Sequence, residues 1–333
     1  MRWKPMGKKK NSYAKWGYIF SIPFVAAFLV FSLYPILYTA VIGFTDLQGL
    51  FQNEVHILAD PLKNFKDVLT APTFQTALKN TVIIWIANFI PQILLALLLA
   101  AWFTSTRHKI KGEGFFKVVF YMPNIITAAT IAILFKAMFD YPMSPANDVV
   151  MTLGLADGPI NFLINKNVSR AIVAFSQFWM WYGYTMIILI SGILGISPEI
   201  FEAAEVDGAN GWQTFFMITL PNIKTILLFT LVTSVIGGLN MFDIPKLFML
   251  GGPDNATLTT NVFIYNQAFS GSYMYNKAAA ASMIMFVIIL IISAIMFFFL
   301  RDKDEEEAYK IEKARIKKFK AEQKALKKAG KEV

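Results

Sequence analysis

Ser197-Pro198-Glu199-Ile200-Phe201-Glu202-Ala203-Ala204-Glu205-Val206-Asp207-Gly208-Ala209 is an acidic, glycine-marked stretch between two long apolar runs, about 171–194 and 223–244. Each run is long enough to cross a bilayer, whose hydrocarbon core takes about 20 apolar residues. Membrane chains tend to keep Lys and Arg on their cytoplasmic loops. Here Glu199, Glu202, Glu205 and Asp207 occupy such a loop instead. That departure asks for a partner surface carrying basic groups.

The local chemistry predicts a hairpin of two short helices. Ser197 suits an N-cap, Pro198 the first helical turn, and Glu199 the positive helix start. A helix from Pro198 to Asp207 would end where Gly208 permits a left-handed turn. A second helix is expected over Trp212–Ile218, stopped before Pro221. Ala203, Ala204, Gly208 and Ala209 are small enough for another surface to approach the backbone, and Glu202 and Asp207 offer it charge. On composition alone, a solvated amphipathic loop fits these residues equally well.

Outward from the loop the chain is greasy: 56% of its 333 residues are hydrophobic and 16% are charged. Such a balance indicates an integral membrane protein. Six places fit a span, at about 17–43, 80–103, 116–138, 171–194, 223–244 and 278–300. The first follows Lys8-Lys9-Lys10, has no small-residue cleavage site after it, and reads as an uncleaved anchor. With a cytoplasmic N-terminus, the inner segments hold 22 Lys and Arg and the outer ones 7. That bias predicts both termini in the cytoplasm. The outer loops are short and turn-rich, as in Tyr141-Pro142-Met143-Ser144-Pro145 and Gly251-Gly252-Pro253-Asp254-Asn255. Any sizeable ligand-capturing domain would therefore be another chain.

Composition also excludes classes of chemistry. The chain has no cysteine, and its two histidines, His56 and His108, are far apart in sequence. No metal site, catalytic triad or cofactor is expected from these residues. The net charge of +9 lies in membrane-flanking positions, which suits anionic lipid rather than nucleic acid. No phosphate-binding Gly-x-x-x-x-Gly-Lys-Ser/Thr loop is present, so ATP would have to be handled by another chain.

Glu202-Ala203-Ala204, then Gly208, then Ile218-Thr219-Leu220-Pro221 resembles the EAA loop of ATP-binding-cassette (ABC) importer permeases. Ser32-Leu33-Tyr34-Pro35 looks like the start of the sugar-permease branch. So does Gly251-Gly252-Pro253 followed by Ile264-Tyr265-Asn266-Gln267-Ala268-Phe269. The chain is thus similar to maltose-type and glycerol-phosphate-type permease subunits from about residue 17 to 300. The resemblance implies an all-α integral membrane protein with six transmembrane helices in the type I ABC importer fold. It would sit in a bacterial cytoplasmic membrane, as such permeases do. Residues 1–16 would be a basic cytoplasmic tail, 17–75 the first span and an outer loop, 76–300 the permease domain with its EAA loop at 198–221, and 301–333 a charged cytoplasmic tail. The loop would be the coupling helix, its contact formed by Glu202, Ala203, Ala204, Asp207, Gly208 and Ala209. The implied partners are two cytoplasmic ATPase subunits, a second permease half forming a heterodimer (or, as the alternative, a second copy of this chain), and an extracellular solute-binding protein. The long Lys-rich tail departs from the family pattern, and its order of acids before lysines suits a surface-lying helix near lipid.

A permease does no covalent chemistry, so its solute path is sought among polar and aromatic groups inside apolar spans. Gln177, Trp181 and Tyr184 share one helix face at i, i+4, i+7. Ser234, Gly238 and Met241 share another, and Asn240 and Asp243 follow on the same span. Rings stack on sugar C–H faces, while amides and hydroxyls meet sugar hydroxyls. Trp and Tyr also anchor helices at membrane interfaces, and paired glycines also serve packing. Two other readings are an ion-coupled secondary transporter, which would want mid-membrane carboxylates and inverted repeats, and a membrane-embedded glycosyltransferase. The spans show neither mid-membrane acids nor a convincing repeat, and no sizeable polar catalytic segment is visible.

Overall fold

A computed structural model describes residues 14–52, 54–105, 110–271, 273–300, 311–319 and 321–322. His108 and most of both tails lie outside them, including the acids Asp302 to Glu307. Among the described residues every regular element is a helix, joined by turns and loops, apart from an isolated bridge between Thr45 and Ile57.

Five helices are long and apolar enough to cross a membrane: Trp16–Ile42, Pro72–Phe103, Lys166–Leu194, Lys224–Met249 and Tyr275–Phe299. The remaining expected span, 116–138, is broken. Its halves Glu113–Ile125 and Ala128–Met138 meet at 90°. Apolar length alone does not reveal such a break. Pro123 has no N–H for the helical ladder, Ile126 turns extended, and the Thr127 hydroxyl accepts from the Thr130 amide to start a new helix. Lys117, which falls in the first half, forms an ion pair with Glu113 one turn earlier and lies over the Phe103 ring.

A proline expected to stop a helix is accommodated instead. Pro221 sits inside a helical continuation over Leu220–Asn222, so the expected stop before it does not occur. A π-helical segment, Thr214–Thr219, precedes it, and another, Leu29–Leu33, precedes Pro35. A proline ring clashes with the carbonyl four residues back. The extra residue in a π turn moves that carbonyl aside, which lets the helix run on.

The chain divides into two compact units. One contains residues 1–74 and 263–286. There Asn64, buried, donates to the carbonyls of Gly43 and Thr45 and accepts from Asn276, tying the helix Lys63–Thr70 to the ends of two spans. The first span has no buried window at all, as a lipid-facing helix requires.

The other unit, 75–262 with 287–333, is organised around the fourth span, Lys166–Leu194, which is 56% buried over its apolar window. Asn165 caps it, its side chain accepting from the amides of Asn167 and Val168. Two apolar clusters pack along it. Ile172 and Val173 meet Ile84, Ile131, Ile244 and Phe248 in one. Met186, Leu189 and Ile193 meet Ala96, Ala100 and Ile223 in the other. Gly183 makes the closest approach. A Cβ there would lie 2.0 Å from the Phe120 carbonyl oxygen, so only glycine lets the broken third span pack at this depth.

Candidate functional site

Between those two clusters the fourth span turns polar. Gln177, Trp181, Tyr184 and Thr185 line a cavity of about 190 Å³. The second span supplies Asn88 and Gln92, and the fifth supplies Thr233, Ser234, Gly237 and Gly238. On the second span, Ile84, Asn88, Gln92, Ala96 and Ala100 recur every four residues on one face. The polar pair therefore sits between an apolar turn on each side. Five of the seven proposed path residues (Gln177, Trp181, Tyr184, Ser234 and Gly238) come together here.

Asn240 and Asp243 do not. The fifth span stops being helical after Leu239 and restarts at Asp243. A face read at 3.6 residues per turn cannot extend across that break. Asn240 is the exposed C-cap; its amide donates to the Ile236 carbonyl, and its own carbonyl accepts from Asn261. Asp243 is exposed in the first turn of Asp243–Met249. Met241 leaves the expected strip and is buried in an apolar cluster.

Asn88, Gln92, Thr185 and Thr233 were missed by the sequence reading. Two amides at i, i+4 inside an apolar span were the available signal. Gln92 donates to the Thr185 hydroxyl at 2.8 Å, and Thr185 donates to the Trp181 carbonyl at 3.1 Å. This chain of bonds joins spans two and four at the cavity wall. Gly238 has a second neighbour, the Trp85 ring, whose Cδ1 would lie 2.1 Å from an added Cβ. The Trp85 indole N–H is buried there without a hydrogen-bond partner.

The acidic stretch forms the helix Pro198–Val206 followed by a tight turn. Ser197 occupies the N-cap position but makes no side-chain cap bond, which corrects that expectation. The turn is closed by two backbone bonds, from Ala209 to the Ala204 carbonyl and from Gly208 to the Glu205 carbonyl. This is the Schellman arrangement, and Gly208 adopts its left-handed conformation at φ +75°. The following helix starts at Gly211, one residue earlier than expected. Asn210 and Gln213 bond each other's backbone in a capping box.

Glu202, Ala203, Asp207 and Gly208 are exposed, Ala204 is buried, and Ala209 is intermediate. The hairpin rests on the spans through Phe201, Phe215 and Thr219, which share a small cleft with Ala101, Thr104 and Ile193. It also exposes apolar side chains: Val206 is 88% exposed and Met217 74% exposed. Trp212 stacks on Phe216 at 5.8 Å. Nothing lies within 4 Å of a Cβ built on Gly208, so the open space there belongs to the turn's outer surface.

Bent and broken membrane spans around a polar mid-span cavity, with a preorganised surface hairpin between spans four and five, define a multi-pass membrane permease. Residues 80–303 match the family described as the binding-protein-dependent transport system inner membrane component. The chain belongs to that family. It is 32% identical over 272 residues to the lactose transport system permease protein of Rhizobium radiobacter, covering 81% of this chain and 89% of that one. Identity is also 32% over 264 residues with the arabinooligosaccharides transport system permease protein of Bacillus subtilis, covering 79% and 81%. Among solved structures, a bacterial ABC transporter that imports the acidic polysaccharide alginate has the same fold. Its TM-score is 0.71 at 23% identity, covering 85% of this chain and 94% of that one.

Proposed function

We propose that this permease carries an oligosaccharide inward through the cavity on spans two, four and five, driven by a separate ATPase gripped at the hairpin. The exposed, self-bonded turn at Glu202–Ala209 carries this reading. Its outer surface holds carboxylates for a basic socket. It also bears an apolar patch of a kind that soluble-facing surfaces usually cover with a partner. The turn's shape is set by its own backbone, so a moving partner would displace it as a rigid lever.

The assembly takes two ATPase subunits, a second permease half (a different chain) and an external solute-binding protein. ATP closes the ATPase pair, the two hairpins move together, and the spans switch from inward- to outward-facing. Both termini are cytoplasmic, residues 1–16 and 301–333 are charged tails, and 76–300 is the permease domain. The sugar-named relatives support the cargo class. The partner-gripping residues are Glu202, Ala203, Asp207 and Gly208, with Ala209 half-buried beside them, while the buried Ala204 closes the turn through its carbonyl; Asn240 and Asp243 flank the path rather than line it.

The test is Glu202→Lys combined with Gly208→Asp. The expected result is loss of ATPase co-purification and of uptake, while membrane insertion persists. Normal uptake by that double variant removes the coupling role.

A further inference from the structure

The bonding of the cavity wall limits what can enter. Four of its polar side chains already donate to the protein: Asn88 to the Ile84 carbonyl, Gln92 to Thr185, Thr185 to the Trp181 carbonyl, and Thr233 to the Phe229 carbonyl. Four others have no hydrogen-bond partner among the described residues. They are the Gln177 amide, the Trp181 indole N–H, the Tyr184 phenol and the Ser234 hydroxyl. Gln177 is only 9% exposed, yet its amide lines the cavity with no hydrogen-bond partner among the described residues. An amide so placed offers its hydrogen bonds to whatever occupies the cavity.

Charge gives the second limit. Among the lining residues there is no Lys, Arg, His, Asp or Glu. The Trp181 and Tyr184 rings meet edge to face at 5.8 Å and 86°. Ring faces carry negative charge density and repel anions. Size gives the third. An engineered apolar cavity of about 150 Å³ holds benzene, and this space of about 190 Å³, open where Trp181 and Tyr184 are exposed, seats one six-membered ring while the rest of a longer guest extends outside it.

We propose that this cavity is a charge filter: it accepts one uncharged pyranose ring at a time and rejects uronates and sugar phosphates. Each sugar hydroxyl both donates and accepts. It can therefore bond Gln177, Tyr184 or Ser234 and still use the free oxygens of Asn88 and Gln92. A carboxylate or phosphate would lose water and find no cation. This inference rests on the reading that the cavity lies on the solute path. It separates this chain from an importer of an acidic polysaccharide that shares its fold.

The test uses the whole transporter, with the full chain and its partner subunits in lipid nanodiscs. Ligand binding is measured by calorimetry without the solute-binding protein, so that cargo selection by that protein does not enter. The probes are maltose, cellobiose and lactose, each paired with the same disaccharide oxidised to a carboxylate at C6. At least one neutral sugar should bind, and its uronate should bind at least about tenfold more weakly. Gln177→Ala should weaken the neutral sugar by about tenfold, and Gln177→Lys should bring the uronate level with it. Ser234→Ala, a milder change, should also weaken the neutral sugar and keeps the test open if the lysine variant fails to assemble. Equal binding of a uronate and its neutral partner overturns the filter, as does binding insensitive to both Gln177→Ala and Ser234→Ala. Binding by no probe overturns it too. None of these outcomes touches the ATPase-release test, so failure of the filter is distinguishable from failure of the coupling.

Discussion

The hairpin at 197–223 and the cavity on spans two, four and five are built in opposite ways. In the hairpin the turn is closed by its own groups, through the Schellman bonds at Gly208 and the capping box at Asn210. Glu202, Ala203 and Asp207 are exposed on it, while Ala204 and Thr219 are buried. In the cavity the helical backbone is unremarkable, and the side chains of Gln177, Trp181, Tyr184 and Ser234 remain unbonded inside. A surface with a fixed shape and free side chains suits a permanent protein partner. An interior with spare hydrogen-bonding groups suits a small guest that comes and goes. Variants should therefore separate into two classes, one that changes partner binding and one that changes solute handling.

The largest expected effect tests the framework common to both. Gly183→Ala places a methyl group 2.0 Å from the Phe120 carbonyl oxygen, a backbone atom that cannot rotate away. Overpacking of this kind costs about 1–3 kcal/mol or more. Thermal unfolding in detergent should drop markedly, with loss of both ATPase binding and uptake. An unchanged melting temperature would show that spans three and four do not pack at this depth.

At the hairpin, Gly208→Asn separates conformation from contact. Asparagine tolerates the left-handed turn better than other side chains, and no atom of the described residues crowds the site. The variant should therefore fold and insert normally yet release the ATPase, because the added side chain meets the partner. Retained co-purification would assign Gly208 to turn geometry alone.

In the cavity, Trp181→Ala should change uptake kinetics by severalfold while ATPase co-purification is unchanged, and Asn240→Ala should leave the solute affinity unchanged. An Asn240 effect equal to that of Trp181 would move the path toward the break at 240–242. Gln92→Leu removes a bond between spans two and four. Interhelical hydrogen bonds in membranes average about 0.6 kcal/mol, so its stability loss should be small.

The smallest effect lies in the loop after the first span, outside the membrane. The His56 backbone N–H, with help from the Gln52 amide, holds the Asp46 carboxyl below its ordinary range. The Lys66 ammonium does the same for Asp60. A carboxylate with a depressed folded-state value stabilises the loop above the ordinary pKa, and that contribution is lost as pH falls through the lowered one. Protease nicking between residues 46 and 62 should thus be unchanged from neutrality to about pH 5 and rise below about pH 4. Faster nicking at neutral than at acid pH would contradict these bonds.

The spans were legible because bilayer thickness imposes a length on apolar runs, and that constraint needs no partner. The Glu202–Gly208 turn was legible because glycine, small residues and acids act over a few positions. The breaks were not. Pro221 looked like a stop, since the π turn that accommodates it has no sequence marker of its own. The end of helix at Asn240 hid which residues beyond it share a face. Gln92 and Asn88 show a different limit. Their spacing was visible, but the Thr185 partner that makes Gln92 a wall residue lies 93 positions away.

The chain has no cysteine, so a single Ala203→Cys substitution would carry its sole thiol on the exposed face of the hairpin. Labelling it with a membrane-impermeant maleimide, in right-side-out and inverted vesicles and with or without the ATPase subunits, measures sidedness and partner contact together. The prediction is reaction in inverted vesicles alone, blocked when the ATPase is bound. Labelling from outside, or labelling that the ATPase leaves undiminished, would contradict the account.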